Sequence, residues 1–113
     1  MIKVYGIKNC DSVKKALSFF KKNNIEYELF DFKQEPLACE KIEQWLQKTD
    51  INRLFNARST TYRNLKLKEL NLSDTEKAKW LCRENLLIKR PVVEVDSDLI
   101  VGYNEDEYIQ KFR

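Results

Sequence analysis

Apolar and polar positions change period several times along the chain, and each change marks an element. Ile2 to Ile7 is a short run of branched and aromatic residues, the composition of a strand buried on both faces. A polar junction follows. Val13, Ala16, Leu17 and Phe20 then recur at the i, i+3, i+4, i+7 spacing of one helix face. Asn23-Asn24 closes that helix, and in "IEYELFDF" Ile25, Tyr27 and Leu29 alternate as in a strand. Strand, helix and strand of this size predict a right-handed crossover with the two strands parallel.

Beyond "KQEP", where Pro36 is well placed to open a helix, the character changes. Cys39, Ile42, Trp45 and Leu46 form a narrow helical stripe among charged residues, and Ile51 to Phe55 reads as another short helical piece. "NARSTTYRNLKLKEL" is polar and basic, anchored by Tyr62, Leu65 and Leu67. Ser73 with Glu76 is a capping box opening a helix that carries Ala78, Leu81, Cys82 and Leu86 on one side. From Pro91 the period becomes that of strands: "VVEV" and "LIVGY" flank Asp96-Ser97-Asp98, a polar loop of hairpin length. Asn104 with Glu107 repeats the capping signature before an apolar face of Tyr108, Ile109 and Phe112.

The order β-α-β, helices, β-β-α predicts an α/β fold in which the outer pieces share one four-stranded mixed sheet. A single domain over 1–113 is expected, its core formed by 1–33 and 90–113 and its helical insertion by 34–89. With 113 residues the chain can bury one real core but not two independent ones. No internal repeat, low-complexity segment or flexible linker interrupts it.

Composition narrows the function classes. A hydrophobic fraction of 42% with 35% charged residues belongs to a globular chain. The net charge of +3 suits small anionic ligands and falls short of the clustered basic excess that nucleic acid demands. No apolar stretch approaches the roughly 20 residues that span a bilayer, and "MIKVYG" lacks a signal-peptide core, so the cytoplasm is the expected compartment. Three cysteines, none closely spaced, argue against a disulfide framework or a zinc site. The absence of histidine excludes Cys-His catalysis and histidine metal ligation, and two glycines leave no Gly-rich phosphate loop, so neither metal nor nucleotide is expected.

Cys10 stands where the first strand hands over to its helix. Free backbone N–H groups and the positive end of the helix dipole there favour thiolate over thiol. Lys8, Lys14 and Lys15 act in the same direction, and Asp11 in the opposite one. On position alone, an Asn-Cys-Asp junction whose side chains merely cap the helix fits equally well. Cys39 and Cys82 each continue an apolar stripe, which marks them as small structural hydrophobes. Arg90 precedes Pro91 at the entrance to a strand, where proline restricts its neighbour to extended backbone and admits a cis bond. Arg58 lies in "FNARSTTYR", whose hydroxyls suit caps and turns. Singly, each arginine reads as a surface residue. Grouped around a thiolate, the two would stabilise its charge and hold a carboxylate or oxyanion bidentately.

The segments "YGIKNCDSVKKAL", "FNARSTTYRNL", "IKRPVVEV" and "LIVGYNEDEY", in that order, resemble the arsenate-reductase-like proteins of the thioredoxin superfamily, which include the Spx regulators. The resemblance is closest to the YffB-like branch and covers essentially the whole chain. It implies a thioredoxin-like fold with a helical insertion, Cys10 as the reactive thiol and Pro91 in the superfamily's cis-proline position. It also implies Arg58 and Arg90 as oxyanion contacts. Arsenate reductases carry a third arginine in the final hairpin, where this chain has Gly102. Their nucleophile loop begins His-Asn-Pro, where this chain has Ile7, Lys8 and Asn9. Both departures weigh against arsenate as natural substrate. Spx regulators commonly use a Cys-x-x-Cys switch, and Val13 takes the second place here.

The expected function is a thiol oxidoreductase with no bound cofactor. Cys10 forms a mixed disulfide or adduct that an external thiol, glutathione or a protein dithiol, resolves. Lys8 and Asn9 would line the approach, and Pro91 would present backbone to an extended, peptide-like ligand. The alternatives are a non-enzymatic Spx-like regulator that binds transcription machinery, and an arsenate reductase that manages with two arginines.

Overall fold

Four strands, β1 (Ile2–Gly6), β2 (Tyr27–Asp31), β3 (Val92–Val95) and β4 (Asp98–Val101), form one mixed sheet in the order β2-β1-β3-β4. The computed structural model describes residues 2–113. β1 runs parallel to β2 and antiparallel to β3, and β3 pairs antiparallel with β4, which makes the one four-stranded mixed sheet that the order of elements predicts, in the thioredoxin-like fold that the family resemblance implies. The six α-helices among the described residues are α1 (Asp11–Lys22), α2 (Cys39–Leu46), α3 (Ile51–Leu54), α4 (Thr60–Asn64), α5 (Asp74–Arg83) and α6 (Glu105–Phe112). The chain divides into two compact units, Met1–Asp31 with Arg90–Arg113, and Phe32–Lys89.

In the first unit, α1 forms because its apolar positions fall on one stripe: Val13, Ala16 and Phe20 are fully buried, with Phe19 beside them. Ala16, Phe19 and Phe20 join Ile2, Val4, Val93, Ile100 and Tyr108 in a core between sheet and helices. Phe20 stacks on Tyr108 with ring centroids 5.7 Å apart, and Phe19 meets the same ring edge-on at 5.6 Å. The Tyr108 hydroxyl donates to the Gly102 carbonyl at 2.9 Å, which ties α6 to the end of β4. Burial, followed by the neighbouring Glu107 and Tyr103, pushes that phenol above the usual tyrosine range. Asn104 caps α6 by accepting the Glu107 N–H at 3.0 Å. The hairpin turn is tighter than expected, because Asp98 already belongs to β4 and Asp96 takes a positive φ of 54°.

The second unit is helical. The Ser73–Glu76 capping box that opens α5 is present in both directions, at 3.2 Å and 2.9 Å. Its hydrogen bonds hold the Glu76 carboxyl below the ordinary carboxylate range. Ser59 caps α4 and Asp50 caps α3. Phe55 bridges Ile88, flanked by hydrogen bonds from Asn56 N–H to Leu87 O and from Lys89 N–H to Leu54 O, both 2.8 Å.

Two expectations are corrected here. Pro36 does not open α2: Ala38, with extended backbone at φ −66° and ψ 143°, is its N-cap, and Leu37 N–H is held by Asn85 Oδ1 at 2.9 Å. Cys39 and Cys82 are not inert hydrophobes. They form a disulfide across a sequence separation of 43, with Cα atoms 5.0 Å apart, and Cys39 is exposed at the first residue of α2. Helical periodicity placed each cysteine on a stripe, but it carries no information on which stripe faces which.

Candidate functional site

The sheet register decides what surrounds the strand–helix junction. Gly6 lies opposite Asp31, Tyr5 opposite Val92, and Val92 opposite Val101. The residues after Gly6, those before Val92 and those after Val101 therefore leave the sheet at the same end, on strands spaced about 4.8 Å apart. That end collects Lys8, Asn9, Cys10, Arg90, Pro91 and Gly102.

The β1–α1 loop is held at several points. Lys8 N–H donates to Asp31 Oδ2 at 3.3 Å, and Cys10 N–H donates to the Ile7 carbonyl at 3.3 Å. Cys10 is the N-cap of α1, with extended backbone at φ −99° and ψ 125°. Its side chain makes no capping hydrogen bond, so the thiol is not spent on the helix end. It is free and half-buried. Asp11, Ser12 and Val13 supply first-turn N–H groups that no intrahelical carbonyl can satisfy. Lys8 and Asn9 are exposed.

Gly6 sets how closely α1 approaches the strand. A Cβ at this position would lie 2.6 Å from Val13 Cγ2, so the strand can pass under the first turn only without a side chain. On the neighbouring strand the Arg90–Pro91 bond is cis. Pro91 is buried, and its carbonyl accepts Gly102 N–H at 2.7 Å. Gly102 has φ 86°, a left-handed conformation open to glycine, and its carbonyl takes the Tyr108 hydroxyl. Arg90 is half-buried.

Of the residues singled out from sequence, Lys8, Asn9, Cys10, Arg90 and Pro91 come together at this sheet end. Arg58 belongs to the second unit, where it is exposed and its backbone N–H donates to Asn56 Oδ1 at 3.0 Å. Two residues that shape the loop escaped sequence reasoning. Asp31 ends β2 in parallel register with Gly6, a pairing visible only once the strands are aligned. Gly6 offered a weak signal, as one of two glycines in the chain, four residues before the cysteine. Among the described residues, no group of three potential metal ligands gathers, and no helix is long and apolar enough to cross a membrane.

Chemically, this end of the sheet offers one nucleophilic sulfur backed by backbone donors, with a guanidinium-bearing strand entrance on the adjacent strand. A thiolate so placed can attack an electrophilic sulfur or oxyanion, and N–H donors can meet the charge that moves.

The family model of the ArsC family matches residues 5–111. An uncharacterized protein of Haemophilus influenzae is 42% identical over 113 residues, covering 99% of this chain and 99% of its own. The global transcriptional regulator Spx of Lactiplantibacillus plantarum is 32% identical over 114 residues, covering 99% of this chain and 86% of its own. Among solved structures, the YFFB protein superposes with a TM-score of 0.91 at 26% identity, covering 100% of both chains.

Proposed function

The chain belongs to the ArsC family, and on that premise we propose that it is a thiol-dependent oxidoreductase in which Cys10 is the nucleophile and glutathione the resolving thiol. The observation that carries this reading is the Cys10 side chain: a free, half-buried thiol at a helix N-terminus, uncommitted to capping. The other two cysteines are paired with each other, so the second sulfur of the cycle comes from outside.

In the first step the Cys10 thiolate attacks the glutathione sulfur of a mixed disulfide. The substrate's sulfur leaves as a thiolate and takes a proton, and Cys10 becomes glutathionylated. A second glutathione thiolate attacks that bond, which releases glutathione disulfide and restores the Cys10 thiolate. The incoming glutathione supplies the reducing equivalent that the substrate sulfur gains, and the glutathione of the mixed disulfide leaves at the disulfide level at which it arrived. Arg90 binds a carboxylate of the tripeptide through charge-assisted hydrogen bonds. Pro91 flanks the tripeptide with backbone, and Lys8 and Asn9 border its entry. For Arg58 the same anion-binding role rests on the family motif alone.

The substrate is a mixed disulfide and not arsenate. The hairpin position where arsenate reductases carry an arginine holds Gly102, whose backbone N–H and carbonyl are both engaged within the fold. Glutathione-dependent turnover, assayed separately with a glutathionylated peptide and with arsenate, tests this. Turnover on the peptide, lost in Cys10→Ser, is expected. Turnover on arsenate alone would overturn the substrate assignment.

The likeness to Spx supports one further reading, a regulator that works by docking on another protein. The two separate cleanly, because docking would survive Cys10→Ser and turnover would not. In this chain the second position of a Cys-x-x-Cys pair is Val13, fully buried against Gly6, so any such docking is not switched by a disulfide at that motif.

A further inference from the structure

We propose that the Cys39–Cys82 bond is a second redox site, opened by an external dithiol and closed again by that dithiol's disulfide form, which clamps the start of α2 to the end of α5 and releases it on reduction. The bond belongs wholly to the helical unit and involves no residue of the Cys10 loop, so it is independent of the proposed function.

Three observations carry it. First, access: Cys39 is exposed and Cys82 half-buried, so an incoming thiolate reaches the Cys39 sulfur and the Cys82 sulfur is the leaving group. Exposed disulfides are the labile and regulatory ones, whereas those sealed in a core resist reduction. Second, the bond borders a groove of about 260 Å³ between the two helices, lined by Ile42, Leu46, Ala78 and Lys79 as well as both cysteines. The covalent tie therefore spans an opening, and cutting it removes no packed core. Third, Glu43 Oε1 lies 3.9 Å from the Cys39 sulfur. A disulfide sulfur has no proton to give, so this contact becomes a hydrogen bond only in the reduced state and favours that state.

The exchange balances. A thiolate of the dithiol attacks Cys39 Sγ, the Cys39–Cys82 bond breaks, and Cys82 leaves as a thiolate and is protonated. The dithiol's second sulfur then attacks its own mixed-disulfide sulfur and releases Cys39, which takes up the other proton. Two electrons pass to the protein, which gains two thiols, and the dithiol becomes a cyclic disulfide. In the reduced state α2 is still anchored by buried Ile42 and Trp45 and by the Leu37–Asn85 hydrogen bond. Its first turn is freed while the unit keeps its fold.

The test uses the Cys10→Ser chain in mixtures of reduced and oxidised dithiothreitol, quenched with iodoacetamide and read by intact mass. As the reduced fraction rises, two alkyl groups are expected to appear together, reversibly and with the circular dichroism spectrum retained. The wild-type chain gives the same transition with one further group, from Cys10. Amide exchange over residues 39–46 should accelerate by about tenfold or more on reduction, with the sheet amides unchanged. The proposal is overturned if the bond yields to dithiothreitol only in denaturant, if its reduction unfolds the chain, or if the two thiols remain alkylatable at the most oxidising ratio.

Discussion

Substituting alanine at Gly6 tests the contact that positions the nucleophile. The added Cβ would lie 2.6 Å from Val13 Cγ2 and 3.4 Å from Val13 Cγ1. Carbon atoms rest about 3.5–4.0 Å apart, so the nearer methyl must retreat by about 1 Å. Val13 has little room to do so. It is fully buried, and a β-branched side chain in a helix is nearly confined to one rotamer. Overpacking of this kind costs about 1–3 kcal/mol. Alanine also restricts the unfolded chain more than glycine does, which returns about 0.4–1 kcal/mol. The net expectation is a loss of about 0–2.6 kcal/mol. Val13→Ala alone loses two buried carbons and leaves a void, at about 2 kcal/mol. In the Val13→Ala background, however, the added Cβ would lie 3.6 Å from the Cβ that remains at position 13, an ordinary contact, and Gly6→Ala should become neutral or slightly stabilising. Urea unfolding of the four proteins yields the coupling, expected at about 1–3 kcal/mol. Cys10 lies three residues before Val13 at the start of the same helix, so the displaced turn carries the sulfur with it. Turnover of Gly6→Ala should fall by up to about 100-fold and recover in the double variant. An alanine at position 6 that costs the same with and without the Val13 methyls would refute the reasoning.

Other expectations follow from single residues. Cys10→Ser should abolish thiol turnover while unfolding within about 1 kcal/mol of wild type, since the sulfur caps nothing; residual glutathione-dependent activity would remove it from the mechanism. Arg90→Ala should weaken glutathione binding by about 10–100-fold, as lost charge-assisted hydrogen bonds require, seen as a raised KM with a smaller change in kcat. Tyr108 ionises near pH 10.0 when unfolded and higher when folded. The folded state therefore holds the proton longer, and its stability is complete below pH 10 and declines as pH rises beyond. Tyr108→Phe should flatten that decline in urea midpoints measured across pH 9–12, at a cost near neutrality of about 1–2 kcal/mol for the orphaned Gly102 carbonyl; identical pH slopes would discard the assignment. Reducing the Cys39–Cys82 bond, which closes a loop across a separation of 43 residues, should cost up to about 4 kcal/mol by chain entropy, read as the urea-midpoint difference with and without dithiothreitol. No loss would mean that the unfolded chain is already constrained there.

What could be read from the chain itself was whatever depends on residues a few places apart. The α1 stripe, the Ser73–Glu76 box, the Asn104 cap and the β3–β4 hairpin are contacts within one or two turns, and they formed as their periodicity required. Cys10 at the mouth of α1 was legible for the same reason, because a strand followed at once by a helix leaves little choice about where the junction residue stands. Which residue meets which across distant segments was not legible. The register that sets Gly6 by Asp31, the approach of Val13 over Gly6, and the joining of Cys39 to Cys82 each depend on how separately formed elements close on one another. Hydrophobic patterning states which face of an element is buried and is silent about its partner. The pairing is settled by packing and backbone hydrogen bonding over the whole sheet or helix layer, and that is a property of the tertiary structure alone.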